Sequence, residues 1–232
     1  MRRRGRVLAI LPMARIGLLG GSFNPAHGGH RHISLQAMRV LGLDEVWWLV
    51  SPGNPLKEGA TDMAPYGARL ASAQRVARRA RIRVSDFEAR EGTRFTVDTV
   101  RLLKRRYPND QFMWLLGSDT LPNFHKWRDW RGLARQLPIA VIPRPGYDSV
   151  AHAARAMSWL RRFVRPLSQA NNWTEWSAPA IFLLRLPRDP TSATALRAHD
   201  PNWHRRTQNA PSRVARLGLP LSSRRHLGRT PS

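Results

Sequence analysis

The chain has no cysteine among its 232 residues, so disulfides, thiolate metal sites and a cysteine nucleophile are excluded. No apolar run approaches the roughly 20 residues that a membrane helix needs. The nearest thing to a signal peptide is an arginine-rich start followed by Val7-Leu8-Ala9-Ile10-Leu11. Its apolar part is short and no small-residue cleavage site follows it. It reads as a basic N-terminal extension over residues 1–14, with Met13 a candidate start, on a cytoplasmic protein with no membrane partner. Acidic residues are scarce as well: 15 Asp and Glu stand against 39 Lys and Arg, a formal net charge of +24 to which lysine contributes little. That surplus favours polyanions and suits a pocket for phosphorylated substrates. Much of it lies at the ends, in Arg2, Arg3, Arg4 and Arg6 and in Arg205, Arg206, Arg213, Arg216, Arg224, Arg225 and Arg229. The basic tails are therefore candidates for non-specific polyanion binding, although solvated tails on an arginine-rich chain account for the same charge. From His199 the hydrophobic periodicity fades, so residues 199–232 are expected to be a poorly ordered tail. None of this fixes an oligomeric state.

What is present is a regular alternation. Buried strands are predicted at Ile16–Leu19, Val46–Val50, Arg81–Val84, Phe112–Leu116, Ile139–Ile142 and Ala180–Leu186. Helical spacing covers Gly28–Leu41, Ala64–Ala80, Val97–Arg106 and Ala151–Arg161, with Pro108 stopping the third. Strands alternating with helices predict one α/β domain over residues 15–198: a Rossmann-like, doubly wound, mostly parallel sheet with helices on both faces. Ligands of such sheets bind beyond the carboxyl ends of the strands.

The first strand end carries Gly20-Gly21-Ser22-Phe23-Asn24-Pro25-Ala26-His27-Gly28-Gly29-His30. The glycines permit a sharp turn and a close approach of backbone to ligand. The helix that follows offers free N–H groups and the positive end of its dipole to phosphate oxygens. His27 and His30, three apart, share one face of its first turn, where imidazole donors can follow charge moving in phosphoryl or nucleotidyl transfer. The spacing is neither a Walker loop nor a dinucleotide fingerprint. A metal pair would want a third protein ligand, and none is obvious, so no metal site is predicted.

Gly20 to His30 resembles the signature of the HxGH nucleotidyltransferases, and the chain from about Arg15 to Ala198 resembles bacterial nicotinate-nucleotide adenylyltransferase. The resemblance implies adenylyl transfer from ATP to nicotinate mononucleotide, giving deamido-NAD and pyrophosphate in NAD biosynthesis. It implies ATP contacts from Gly20, Gly21, Ser22 and Phe23, and phosphate contacts from His27 and His30. Ser51 to Lys57 resembles the family's P-x-x-x-P-H-K loop with Leu56 at the usual histidine; Asn54 would meet the substrate and Lys57 a phosphate. Arg94 to Thr99 resembles S-Y-T-x-D-T with Phe95 for tyrosine. There Thr96 would touch the mononucleotide, or simply cap the helix. Gly117 and Asp119 resemble I-G-x-D, with Asp119 on ribose hydroxyls. Lys126-Trp127-Arg128 resembles K-W-Y, with Trp127 stacking on the pyridine ring and a helix beginning there to favour a carboxylate. Arg144-Pro145-Gly146-Tyr147 matches R-P-G-[YF], Arg144 holding a phosphate. Thr191 to Arg197 resembles I-S-S-T-x-[IL]-R, in which Ser192 and Thr194 open a helix and Arg197 supplies charge to the triphosphate. After Arg197 the family's further helices give way to the arginine-rich tail.

The expected mechanism is in-line attack by the substrate phosphate on the α-phosphorus of ATP, with His27, His30, Lys57 and Arg197 as the catalytic set. Mg²⁺ is the expected cofactor, carried in on ATP. Two alternatives stay open. One is a related HxGH enzyme acting on nicotinamide mononucleotide or another phosphorylated acceptor. The other is a basic nucleic-acid-binding protein with an inactive site, which the charge supports but no motif does.

Overall fold

The computed structural model describes residues 13–53, 62–144, 146, 153–187, 189 and 191–206. Six strands form one sheet: β1 (Arg15–Gly21), β2 (Glu45–Val50), β3 (Ile82–Ser85), β4 (Gln111–Gly117), β5 (Ile139–Ile142) and β6 (Ile181–Leu183). Their order is β3-β2-β1-β4-β5-β6, and every pairing is parallel. This is the doubly wound order, which reverses between β1 and β4 and opens a crevice at their carboxyl ends.

The helices are α1 (Gly28–Leu41), α2 (Tyr66–Val76), α3 (Phe87–Glu91), α4 (Thr96–Arg106), α5 (Leu121–Phe124), α6 (Trp130–Gln136), α7 (Met157–Leu160) and α8 (Ala193–His199). Because side chains alternate along a strand, each strand feeds two layers. Ile16, Leu18, Trp47, Leu49, Trp114 and Leu116 pack with Val97, Val100 and Leu103 of α4 and with Leu133 of α6. Leu19, Val46, Trp48, Val50, Met113 and Leu115 pack on the other face with Ile33, Ala37 and Leu41 of α1 and Leu70 and Ala73 of α2. β2 is buried along its whole length. That is why Glu45-Val46-Trp47-Trp48-Leu49-Val50 reads as an unbroken run, as strands covered on both faces do.

Several boundaries differ from expectation. The second helix runs only from Tyr66 to Val76. Pro65 stands at its N-cap and Arg79 has a positive φ of 57° just beyond its end. Of Ala151–Arg161, residues 151 and 152 lie outside the described residues, Ala153 is helical, and after a break at residues 154–156 helical geometry resumes over Met157–Leu160 and continues as a 3₁₀ turn over Arg161–Phe163. The last strand stops at Leu183, before Pro187. At the tail, Trp203 in a 3₁₀ turn (Trp203–Arg206) is buried against Ala64 and Ala68 of the α2 region. Residues 199–206 thus fold onto the domain, and residues 207–232 lie outside the described residues. So do residues 1–12, and with them most of both basic ends. Among the described residues no helix is long and apolar enough to cross a membrane.

Candidate active site

The crevice between the β1 and β4 ends is lined first by the glycine elbow. At Gly20 an added Cβ would come within 2.7 Å of the Trp114 ring, so only glycine lets β4 close against β1 here. Phe23 takes a left-handed conformation, φ 49°, which is strained for a bulky residue and turns the chain toward α1. Its ring is buried and stacks on Trp48 at 5.0 Å and against His30 at 4.9 Å. The Phe23 side chain is thereby committed to the core, which leaves its backbone at the crevice.

His27 is the N-cap of α1, and its backbone N–H donates to Nδ1 of His30 at 3.2 Å. With Nδ1 accepting, a neutral His30 carries its proton on Nε2, which is then its donor. The two rings lie 3.9 Å apart between centroids. Desolvation holds His27 down to about 4, with the Arg144 charge adding to the effect and Asp189 opposing it. His30 lies well below its ordinary value, first through desolvation and then through His27 and Arg144. At neutral pH both are therefore uncharged. No acidic residue occupies the first turn of α1, so its free N–H groups remain available to an anion.

The second wall comes from the far end of the chain. A Cβ on Gly29 would sit 2.9 Å from Nδ1 of His27 and 3.2 Å from the Thr191 carbonyl, so this glycine seats the 191 segment directly on α1. Ser192 is the N-cap of α8, its hydroxyl accepting from the Ala195 N–H at 3.1 Å, and Thr194 is exposed on the first turn. Arg197 donates from Nη1 to the Asn24 carbonyl at 2.7 Å, and its Nη2 pairs with Asp62 at 2.9 Å. The imidazole pair and Arg197 thus belong to one elbow.

The third wall follows β4 and β5. Gly117 and Asp119 stand at the β4 end, and Nε of Arg144 lies 3.9 Å from Asp119 Oδ1. The Arg144 backbone N–H donates to the Ser118 hydroxyl at 2.8 Å, which ties the two strand ends together. Two expectations fail here. Thr96 does not cap α4: it is the first helical residue and Phe95 holds the cap position. No helix begins at Trp127 either. Trp127 lies in a turn with its N–H donating to Phe124 at 3.0 Å, and α6 starts three residues later. The reason is Asp129, whose carboxylate accepts from the Gly132 N–H at 3.0 Å and claims the helix start. The Trp127 ring packs edge-on to Phe124 and Trp114. Asn54 and Lys57 fall outside the described residues.

Comparison with known proteins identifies the family. The cytidylyltransferase-like family model matches residues 18–199. A probable nicotinate-nucleotide adenylyltransferase of Erythrobacter litoralis is 57% identical over 189 residues, 82% of this chain and 86% of the relative. The chain belongs to the nicotinate-nucleotide adenylyltransferase family. A probable nicotinate-nucleotide adenylyltransferase of Gluconobacter oxydans is 51% identical over 183 residues, 79% of this chain and 93% of that one. Among solved structures, a Plasmodium falciparum nicotinic acid mononucleotide adenylyltransferase complexed with NaAD superimposes with a TM-score of 0.57 at 17% identity, covering 80% of this chain and 83% of that one. That likeness speaks to the fold.

In this member of the family, the two departures near the β4 side meet: the Arg128 guanidinium lies over the Phe95 ring at 4.6 Å. Three residues escaped the sequence reading. Asn24, buried, joins Arg197 to the elbow and exchanges bonds with the start of the α2 region, giving Nδ2 to the Asp62 carbonyl and accepting from the Ala64 N–H. Its place inside the glycine signature was a signal that went unused. Arg69 and Glu88 are buried charges in the first turns of α2 and α3. Amphipathic spacing gave no hint of either.

Proposed function

We propose that the chain transfers the adenylyl group of ATP to nicotinate mononucleotide. An oxygen of the mononucleotide phosphate attacks the α-phosphorus, the bond from that phosphorus to the bridging oxygen breaks, and pyrophosphate leaves with the electron pair. The nucleophile is already ionised, so no side chain need take its proton, and catalysis is positioning plus charge stabilisation.

The observation that carries this reading is the hydrogen bond from Arg197 to Asn24, which puts a cation from the end of the domain on the elbow that bears His27 and His30. In this reading Gly20, Gly21, Ser22 and the Phe23 backbone receive ATP. Neutral His30 and His27 donate to its phosphates, and Arg197, Ser192 and Thr194 close on the triphosphate from the other side. Lys57 joins them from the loop after β2. Gly117 and Asp119 take the ribose; Asn54, Thr96, Trp127 and Arg144 take the acceptor. Mg²⁺ fits as an ion carried in by ATP. The carboxylates nearest the crevice, Asp119, Asp62 and Asp189, are engaged by Arg144, Arg197 and the Thr191 N–H, which suits an ion ligated by phosphate and water. Bound there, it would neutralise charge on the pyrophosphate oxygens.

Purified protein incubated with ATP and Mg²⁺ tests the reading. Dinucleotide and pyrophosphate should form with nicotinate mononucleotide, and more slowly with nicotinamide mononucleotide. Faster turnover of nicotinamide mononucleotide, phosphopantetheine or glycerol phosphate would move the chain to another branch. Salt-sensitive duplex binding with no pyrophosphate release would overturn the enzymatic reading altogether.

A further inference from the structure

Arg69 lies one turn into α2 and is 1% exposed. Its guanidinium lies over the Tyr66 ring at 5.3 Å, and its hydrogen-bond acceptors among the described residues are all carbonyl oxygens. Nε donates to Ala64 at 3.0 Å, Nη1 to Ser22 at 2.7 Å and to Ser51 at 2.7 Å, and Nη2 to Pro52 at 3.0 Å. Ser22 belongs to the glycine elbow, and Ser51 and Pro52 to the loop that leaves β2. One buried cation therefore joins the backbones at two neighbouring strand ends. Three residues on, Ser72 accepts from the Ala26 N–H at 3.2 Å, so one face of α2 holds the elbow at two points. Burial lowers the Arg69 pKa, but a guanidinium is too strong a base to lose its proton near neutral pH. A core arginine with no carboxylate partner among the described residues costs more stability than an apolar residue that fills the same space. Its presence there therefore calls for a task that packing alone does not set. The planar fork suits four carbonyls in fixed directions, which an ammonium cannot copy.

We propose that Arg69 is a positioning residue for adenylyl transfer, its guanidinium holding the ATP-receiving elbow and the acceptor-side loop after β2 in one fixed relation. The inference rests on the function proposed above. In that function ATP is received by the elbow, while the loop after β2 bears Asn54 for the acceptor and Lys57 for the phosphates, so a shift between the two reduces turnover more than it reduces the binding of either substrate alone.

The test uses the full chain with Arg69→Lys and Arg69→Gln. In Arg69→Gln, kcat should fall by about 10²-fold, as expected for a misplacement near 1 Å. The Kd for ATP alone should stay within about threefold, since His27, His30 and Arg197 are untouched. Arg69→Lys keeps the charge and should recover the melting temperature better than it recovers kcat. Amide hydrogen exchange, which needs no turnover, should accelerate at Ser22–Asn24 and Ser51–Gly53 in both variants more than elsewhere. Wild-type kcat in a folded Arg69→Lys, or unchanged exchange in the two loops, overturns the proposal. Failure of both variants to fold also overturns it, by making Arg69 a structural residue only. An inactive wild type with accelerated loop exchange in the variants would instead count against the function and leave the clamp standing.

Discussion

Arg197 and Asn24 are 173 residues apart in the chain and 2.7 Å apart in space, guanidinium to carbonyl. The bond closes the domain's last helix onto its first loop, so the 191–197 segment and the glycine elbow act as one surface. Asp62 holds the other side of the same guanidinium at 2.9 Å, but its side chain is more than half exposed. An exposed pair of this kind contributes little, whereas a charge-assisted bond to a triphosphate is worth more.

Arg197→Ala is accordingly expected to lower kcat/KM for ATP by about 10- to 100-fold, the loss of one or two charge-assisted hydrogen bonds. Asp62→Asn should change it by less than about threefold. Steady-state kinetics with ATP varied at saturating nicotinate mononucleotide separates the two. Equal effects from both variants would mean that the ion pair, not the triphosphate, is what Arg197 serves.

The imidazole pair sets a pH dependence whose sign can be worked out. Both histidines have folded-state values below the usual 6.5, His27 near 4. The unfolded chain therefore binds protons that the folded chain refuses. Their stabilising contribution is complete above pH 6.5 and is lost as the pH falls toward 4. For His27 alone the loss comes to roughly 2–3 kcal/mol at one pKa unit per 1.36 kcal/mol. Denaturant titrations at pH 7 and pH 4.5 should show the loss in the wild type and a smaller one in His27→Asn. Both rings are neutral from pH 6.5 upward, so kcat should show no imidazole limb between pH 6.5 and 8. A limb there, with proton NMR titration of His30 near 6.5, would require a charged donor instead.

Much of this could be read without coordinates, and the reasons are local. Glycine punctuation and unbroken apolar runs marked β1, β2, β4 and β5 to within a residue or two, because strands buried on both faces leave little else to encode. α1 was legible because its apolar stripe, Ile33, Ala37, Met38 and Leu41, is also its buried face. The short helices α3, α5 and α6 were not, since four to seven residues carry too little periodicity. At the crevice, motif positions pointed to side chains but did not give their backbone settings. Phe95 took the cap assigned to Thr96, and Asp129 moved a helix start away from Trp127. Arg69 and Glu88 were missed for a different reason: their partners lie in loops that are distant in sequence or belong to other elements, and a one-dimensional pattern cannot show those contacts.

Glu88 gives the opposite pH slope. Burial pushes its carboxyl up to about 7 from 4.5, against hydrogen bonds from Thr99 and Ser51 that pull it down. The Thr99 hydroxyl lies 3.1 Å away and also within reach of the Phe95 carbonyl, so a protonated Glu88 can donate to it while it donates onward. Here the folded chain keeps a proton that the unfolded chain releases, so stability falls as the pH rises from 4.5 to 7. Glu88→Gln removes the ionisation and should stabilise the protein above pH 7 by ~1–3 kcal/mol, with the gain vanishing below pH 4.5. Denaturant midpoints at pH 4.5 and pH 8 measure the difference. A variant equally destabilised at both values would show that the carboxylate is held by its hydrogen bonds rather than penalised by burial.

Arg128 over Phe95 brings a cation to the side of the crevice assigned to the acceptor. Nicotinate and nicotinamide mononucleotides share the phosphate and differ at the ring substituent, where only nicotinate is anionic. A guanidinium near that substituent favours the anion. Because Arg128 is exposed, water and salt reduce the effect. Arg128→Gln should therefore raise KM for nicotinate mononucleotide by only about 3- to 10-fold, leave KM for nicotinamide mononucleotide nearly unchanged, and flatten the salt dependence of the first. The comparison is made at two ionic strengths with both acceptors. Equal losses for the two acceptors would instead place the guanidinium near the phosphate that they share, because a charge serving the shared group cannot discriminate between them.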